Sequence, residues 1–445
     1  LRTAQGRPSA LTDTVAAVAG ILPPLDGRDG MVARYLADAT TGLPAATPSD
    51  TRRYEGGLQL DYIGGPQFGV AVGGGYGTGI SGGIAASFSD QLGNNSIQTV
   101  LQAQGDLKDI GGQMLYLNRA RRWNWGGQAY HIPQVGGFAT FDNTTVNVGG
   151  EVLPGTVYTR TLQRVFYDNA QAIAQYPLTA TRRFEFSVGA QRISSSTQVD
   201  SLYDVGNTRV RETRRNFAGA DALTFGTALA AFVGDYSFMG FTSPVAGGRY
   251  RFEVSPNVGT VNYTSLLADY RRYLLARPFT FAFRGMHFGR YGEGRGSEQL
   301  QSLFVGQPYF IRGYDANSFT LAECSAGVGS NECPQFSRLS GSRVAVLNAE
   351  LRIPLLGTNQ YGIIPFPYLP LEVSPFIDGG LAWSAGDDVD LRFARSSATR
   401  VPVFSTGVSM RANVLGYAVA EFYLAKPFQR DQKNWVFGFQ LQPGW

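Results

Sequence analysis

The sequence predicts an all-β chain folded as a transmembrane antiparallel β-barrel of about sixteen strands. Three observations carry that expectation. Apolar and polar residues alternate with period two over segments of about ten residues, the length of a tilted membrane-crossing strand. Charged residues make up only 16% of the 445-residue chain, against roughly 25% in an average soluble protein. Mean hydropathy is nonetheless −0.11, a balance that arises where one strand face meets lipid and the other water.

The alternation is clearest at the end of the chain. Trp435, Phe437, Phe439 and Leu441 fall on one face, and Val436, Gly438, Gln440 and Gln442 on the other. Residues 342–353 set Ala345, Leu347, Ala349, Leu351 and Ile353 against Asn348, Glu350 and Arg352. Tyr250, Phe252 and Val254 oppose Arg249, Arg251, Glu253 and Ser255, and Phe184, Phe186 and Val188 oppose Arg183, Glu185 and Gln191.

The expected strands run in order 53–62, 67–76, 79–88, 96–106, 110–120, 123–133, 181–193, 221–237, 248–257, 262–274, 278–290, 342–353, 371–383, 402–411, 414–425 and 434–445. That even number suits a single-chain bacterial barrel. Between the sixth and seventh, Thr159–Tyr176 reads either as a short periplasmic helix or as a further strand. Counting back from a periplasmic C-terminus makes 291–341, 194–220 and 384–401 extracellular loops, with a Pro-rich turn at 354–370 on the other side. Residues 1–50 read as a periplasmic linker or the remnant of an upstream domain, with a helix at Met31–Ala39, and 51–445 as the barrel.

Other classes find little material. The longest apolar run, Val15–Leu22, stops at Pro23-Pro24, far short of the roughly 20 residues of a spanning helix. No basic signal-peptide region precedes Leu1, so the N-terminus reads as mature, trimmed or cut from something longer. A formal charge of +4 is too small to imply nucleic acid. The two histidines, His131 and His287, read as interfacial side chains, leaving no triad or metal set, so no enzyme and no cofactor is expected. Gly77-Thr78-Gly79-Ile80-Ser81-Gly82 matches a dinucleotide-loop spacing, but a strand rather than a helix follows it. Its glycines read as a tight periplasmic turn. Arg209–Arg215 reads as a solvated extracellular loop, with a lipopolysaccharide-facing role as the alternative. Arg183, Glu185, Arg249, Glu253, Asp269, Arg271, Glu350 and Asp378 read as lumen charges of mixed sign, which favours internal pairing over a selective pore. Cys324 and Cys333 are expected to form a disulfide, closing a loop worth about 3 kcal/mol.

Four segments toward the C-terminus carry a family resemblance. Gly306-Gln307-Pro308-Tyr309-Phe310-Ile311-Arg312-Gly313-Tyr314 resembles the Arg-Gly-aromatic loop of the BamA/TamA type, the outer-membrane assembly and translocation superfamily that includes bacterial surface antigen barrels. Ala349–Leu355 resembles its glutamate-bearing strand twelve, and Phe376–Trp383 its Phe-x-Asp-x-Gly strand thirteen. Gly407–Phe428 resembles the penultimate hairpin, ending in Ala425-Lys426-Pro427. Residues 240–445 also resemble the barrels that follow a TolB-like propeller in longer envelope proteins.

The resemblance implies that the long loop folds into the lumen, where Arg312 contacts Glu350 and Asp378. Gly313 would allow the tight turn, and Tyr314 would pack on the wall. It also implies a seam between first and last strands that opens laterally. Pro443, Gly438 and the terminal Trp445 belong to that last strand, and Pro and Gly weaken its pairing. Implied partners are outer-membrane lipid and lipopolysaccharide, with unfolded clients and periplasmic or lipoprotein partners. The family carries POTRA domains ahead of the barrel, and residues 1–50 are too short for one. The second functional reading is therefore a non-transporting anchor that displays an upstream domain. A passive porin fits less well, because the folded-in loop would plug it.

Overall fold

A computed structural model describes residues 54–441, except 55, 65–66, 72–78, 105, 207, 297–299, 301, 320–322, 324–333, 396–398, 415, 417 and 431–432. The readings of residues 1–50, Cys324, Cys333, Pro443 and Trp445 therefore lie outside the described residues, and the expected disulfide finds no support there.

The described chain is almost entirely strand. β1 comes in two segments, Gln59–Ile63 and Gln67–Ala71, followed by β2 (Gly79–Ser89), β3 (Asn95–Gln104), β4 (Asp106–Asn118), β5 (Asn124–Val148), β6 (Glu151–Thr179) and β7 (Arg182–Val205). β8 is again in two segments, Thr208–Ala218 and Leu223–Asp235, followed by β9 (Pro244–Gly259), β10 (Tyr263–Ala276), β11 (Phe279–Tyr291) and β12 (Arg343–Gly357). β13 (Leu371–Trp383), β14 (Val403–Val414), β15 (Ala418–Pro427) and β16 (Val436–Leu441) complete the wall. Successive strands pair antiparallel throughout. Among the described residues, no ladder joins β1 to β16. Helical structure there amounts to single turns at Glu293–Gly296, Ala316–Ser318 and Pro334–Ser337. No described helix is long and apolar enough to cross a membrane.

The strand number matches expectation because one correction is offset by the strand alternative for Thr159–Tyr176. Residues 59–63 and 67–71 both pair with β2, so they are one strand with an irregularity between them, where the Gly64 amide still reaches the Ala85 carbonyl at 2.7 Å. In the other direction, Thr159–Tyr176 is the further strand and not the helix, lying in the middle of β6.

The expected loop at 194–220 is a second correction. It forms the upper halves of β7 and β8, paired from Ser196↔Ala218 to Val205↔Thr208 with an irregularity between Tyr203 and Asp204. Arg209–Arg215 therefore sits on a strand, where Arg209 pairs with Asp204 at 3.2 Å and Arg214 with Asp200 at 2.9 Å. β5, β6 and β7 reach 25, 29 and 24 residues, more than twice the roughly 10 residues that cross a bilayer. Their upper halves and β8 make a four-stranded sheet projecting beyond the rest of the wall. A third correction concerns the glycines at 77–82. Gly79–Gly82 lie in β2, and Ala71 and Gly79 sit at the end of the wall that carries the long 292–342 segment, not at the opposite end.

The two faces of the wall differ as period two requires. Along β11, Phe279, Phe281 and Phe283 are exposed while Thr280, Ala282 and Arg284 are buried. The inner face is buried because the 292–342 segment packs against it. Val305, Ile311, Tyr314 and Leu339 of that segment form one apolar cluster with Met286, Val344, Val346, Ala382 and Val403 of the strands. A cavity of about 900 Å³ remains between the segment and β6, β7, β10 and β11.

Candidate functional site

The site grows from a run of inward-facing charges on β12 to β15. The alternation of each strand places Asn348, Glu350 and Arg352 on the inner face of β12, and Glu372, Ser374 and Asp378 on that of β13. It does the same for Ser405, Ser409 and Arg411 of β14, and for Glu421, Tyr423 and Ala425 of β15. All are buried. Unpaired charges there would be costly, so the question is where their partners lie.

Arg312 supplies the missing cation. Its Nε and Nη2 donate to the two oxygens of Asp378 at 2.8 Å each, and its backbone amide donates to the same carboxylate at 3.1 Å. Nη1 donates to Glu350 at 2.7 Å and to Glu421 at 3.1 Å. The guanidinium lies over the Phe376 ring, 3.5 Å from its centre, a cation–π contact strengthened by the burial of both groups. Burial pulls the Arg312 pKa down, but the carboxylates of Asp378, Glu350 and Glu421 outweigh it and hold it above the ordinary arginine value. The group is therefore a fixed cation.

A second layer of charges completes the cage. Arg411 donates to Glu350 at 2.7 and 3.0 Å, to Glu372 at 3.1 Å and to Glu421 at 3.1 Å. Arg352 donates to Glu350 at 2.9 Å and to the Pro244 carbonyl at 2.8 Å. Glu421 also accepts from Gln440 of β16 at 2.6 Å. Glu350 thus serves three guanidiniums, and Glu421 ties the loop to the last strand.

The residues after Arg312 hold the segment at further points. Gly313 has φ +89°, a backbone state that side chains other than Gly rarely adopt, and its carbonyl accepts from Arg430 at 2.7 Å. The Tyr314 hydroxyl accepts from the Gln429 amide at 3.1 Å and lies 2.9 Å from the Gln429 side-chain oxygen. Asp315 accepts from the Tyr423 hydroxyl at 2.7 Å. The Arg430 guanidinium forms a buried pair with Glu323 at 2.8 Å and stacks on Phe319. On the opposite flank, Arg284 donates to the Tyr309 carbonyl at 2.9 Å, and Asn348 to that of Phe310 at 2.8 Å.

Of the residues singled out from sequence, Arg312, Gly313, Tyr314, Glu350 and Asp378 come together. Gly438 lies in β16 beneath the Tyr423 ring, so close that a Cβ there would sit 2.0 Å from Tyr423 Cζ. The lumen charges pair among themselves, with Arg251 to Glu185 at 2.7 Å and Arg271 to Asp269 at 2.7 Å. His131 lies 2.5 Å from Asp168, and His287 lies 2.7 Å from the Tyr291 hydroxyl. Among the described residues, no group of three His, Cys, Asp or Glu could hold a metal ion. Sequence reasoning did not single out Arg411, Glu421, Glu372 or the Arg430–Glu323 pair. The alternation of β14 and β15 was the available signal for the first two.

No protein-family model matches the chain, and no curated protein does. Among solved structures it is similar to BamA from Haemophilus ducreyi lacking POTRA domains 1–3. That match has TM-score 0.50 and 12% identity, covering 88% of this chain and 71% of that one. CdiB from Acinetobacter baumannii aligns at TM-score 0.41 and 11% identity, over 87% of this chain and 65% of its own. The likeness to BamA is one of fold, an outer-membrane-type wall of antiparallel strands matched over most of this chain.

Proposed function

We propose that this chain is an outer-membrane barrel of the protein-insertion or translocation type. In this reading the C-terminus is periplasmic, the long loop enters from the extracellular side, and Arg312 latches it. The observation that carries the reading is the buried cage itself. Arg312 meets three carboxylates from three strands, and one of them, Glu421, also holds Gln440 of β16. A plug fixed by charge to the wall, and through the wall to its last strand, suits a barrel whose β1–β16 seam opens in a controlled way. A static anchor has no need of that connection. Lipid and lipopolysaccharide would surround the outer face. Unfolded clients and periplasmic or lipoprotein partners would meet the seam and the turn end.

Cysteine pairs across the seam test this, drawn from Leu58–Tyr62 on one side and from Phe437 and Phe439 on the other. Gly438 is avoided because Tyr423 fills the space above it. Oxidation should abolish the appearance of newly assembled outer-membrane proteins in cells that depend on the variant, and reduction should restore it. Full function in the oxidised, crosslinked state would remove the gate and leave the display anchor as the better reading.

A further inference from the structure

The connection between β12 and β13 is the longest uncharged stretch among the turns at its end of the wall. The stretch between Arg352 and Glu372 contains no charged residue, whereas the turns that carry Asp90, Arg119, Arg121 and Arg122, or Arg277 are charged and the uncharged turns at 236–243 and 415–417 are shorter. Within it, Ile363, Ile364, Phe366, Tyr368 and Leu369 are all exposed, Tyr368 to 80%. Five large apolar side chains on one uncharged turn exceed what a water-facing loop ordinarily shows.

The backbone of this turn does not hang free below the wall. β11 stops pairing at Thr280↔Arg352, leaving the last residues of β12 open on that side. The turn folds back into the gap as a short parallel segment, Leu356↔Ile364 and Gly357↔Pro365. The Ile363 amide donates to the Pro354 carbonyl at 2.9 Å and the Phe366 amide to that of Gly357 at 2.8 Å. The returning segment therefore lies in the plane of the wall, directly below β11. It continues the exposed apolar band of Phe279, Phe281 and Phe283 there, and of Leu347 and Ile377 on the adjoining strands. Pro365, Pro367 and Pro370 stiffen the exit. Phe366 and Tyr368 meet edge to face at 5.7 Å, an aromatic pair of the kind that sits at the headgroup level.

We propose that residues 361–369 form a membrane-embedded foot, seated among the lipid acyl chains and headgroups of the leaflet at the turn end. This rests on the membrane-spanning reading of the wall. The occupant is lipid rather than a protein partner because the patch is continuous with the lipid-facing band, lies in the same surface and lacks any charge that would orient a partner.

Single-cysteine variants in a Cys324→Ser, Cys333→Ser background, each carrying an environment-sensitive fluorophore, test the proposal in phosphatidylcholine vesicles. Labels go on Tyr368→Cys and Ile364→Cys, with Leu347→Cys as the band reference and Arg211→Cys as the water reference. Brominated acyl chains should quench the Tyr368 and Ile364 labels at least half as strongly as the Leu347 label, while iodide quenches only Arg211. If Leu347 is quenched by lipid but Tyr368 and Ile364 follow iodide, the foot is wrong and the membrane wall stands. Iodide access at Leu347 would instead remove the membrane reading itself. Labels at 364 and 368 that are exposed in vesicles but shielded in native envelopes would overturn the lipid proposal in favour of a protein partner.

Discussion

Arg312 and Asp378 meet through three hydrogen bonds, two from the guanidinium at 2.8 Å and one from the backbone amide at 3.1 Å. The side chain and the turn that carries it are thus fixed to the same carboxylate. Arg312→Ala leaves Asp378, Glu350 and Glu421 buried with one cation fewer, a change that costs about 3–5 kcal/mol. Heat-modifiability on gels should show the compact form lost at lower temperature, and limited proteolysis should cut within 297–333. Arg312→Lys should recover little, because an ammonium cannot reproduce the two-oxygen fork. Unchanged melting and unchanged proteolysis in both variants would sink the latch.

Glu421→Gln probes the connection between loop and last strand. The amide keeps one acceptor but loses the charge that Arg312 and Arg411 share. Local opening of β16 should become easier by about 1–3 kcal/mol, seen as faster amide exchange at Val436–Leu441 and little change in β11. Equal acceleration in both strands would mean that Glu421 stabilises the barrel generally.

Gly313→Ala places a Cβ at φ +89°, 3.0 Å from the Ala425 Cβ. The left-handed backbone alone costs about 1–2 kcal/mol. The melting temperature should fall, less than for Arg312→Ala. A loss as large would mean that the close approach to β15, not the charge cage, sets the position of the loop.

Burial pushes the Asp315 carboxyl above its ordinary pKa, despite the Tyr423 hydroxyl that favours the charged form. A carboxyl raised on folding binds its proton more tightly in the folded state. Its contribution to stability is complete below the unfolded value of about 3.9 and is lost as pH rises through the folded value. Asp315→Asn should therefore raise the melting temperature at pH 7.5 and make no difference at pH 3.5. A variant less stable than the parent at pH 7.5 would show that the Tyr423 bond, not burial, governs this residue.

The inward faces of β12 and β13 were legible because Glu350 and Asp378 sit in uninterrupted alternation beside a recognisable loop motif. The rest of the cage was harder to read. Arg411 and Glu421 lie on β14 and β15, where each residue looks like an ordinary polar position until the loop brings a cation opposite it. The long hairpins were obscured by punctuation. Gly136-Gly137, Gly149-Gly150, Pro154 and Gly155 break the apparent pattern, yet only Gly149-Gly150 is a turn. Cross-strand pairing carries β5 and β6 through the others, an effect that local sequence does not encode.

The unequal strand lengths make the mouth of the barrel lopsided. β6 alone spans about 95 Å at the usual rise per residue, while β13 and β14 end after 13 and 12 residues. In the proposed orientation, a large particle approaching the cell, such as an antibody or a phage, meets a tall stiff screen on one flank and a low rim on the other. Access to the Arg312 loop from outside is then directional, open over β12–β16 and shaded by β5–β8.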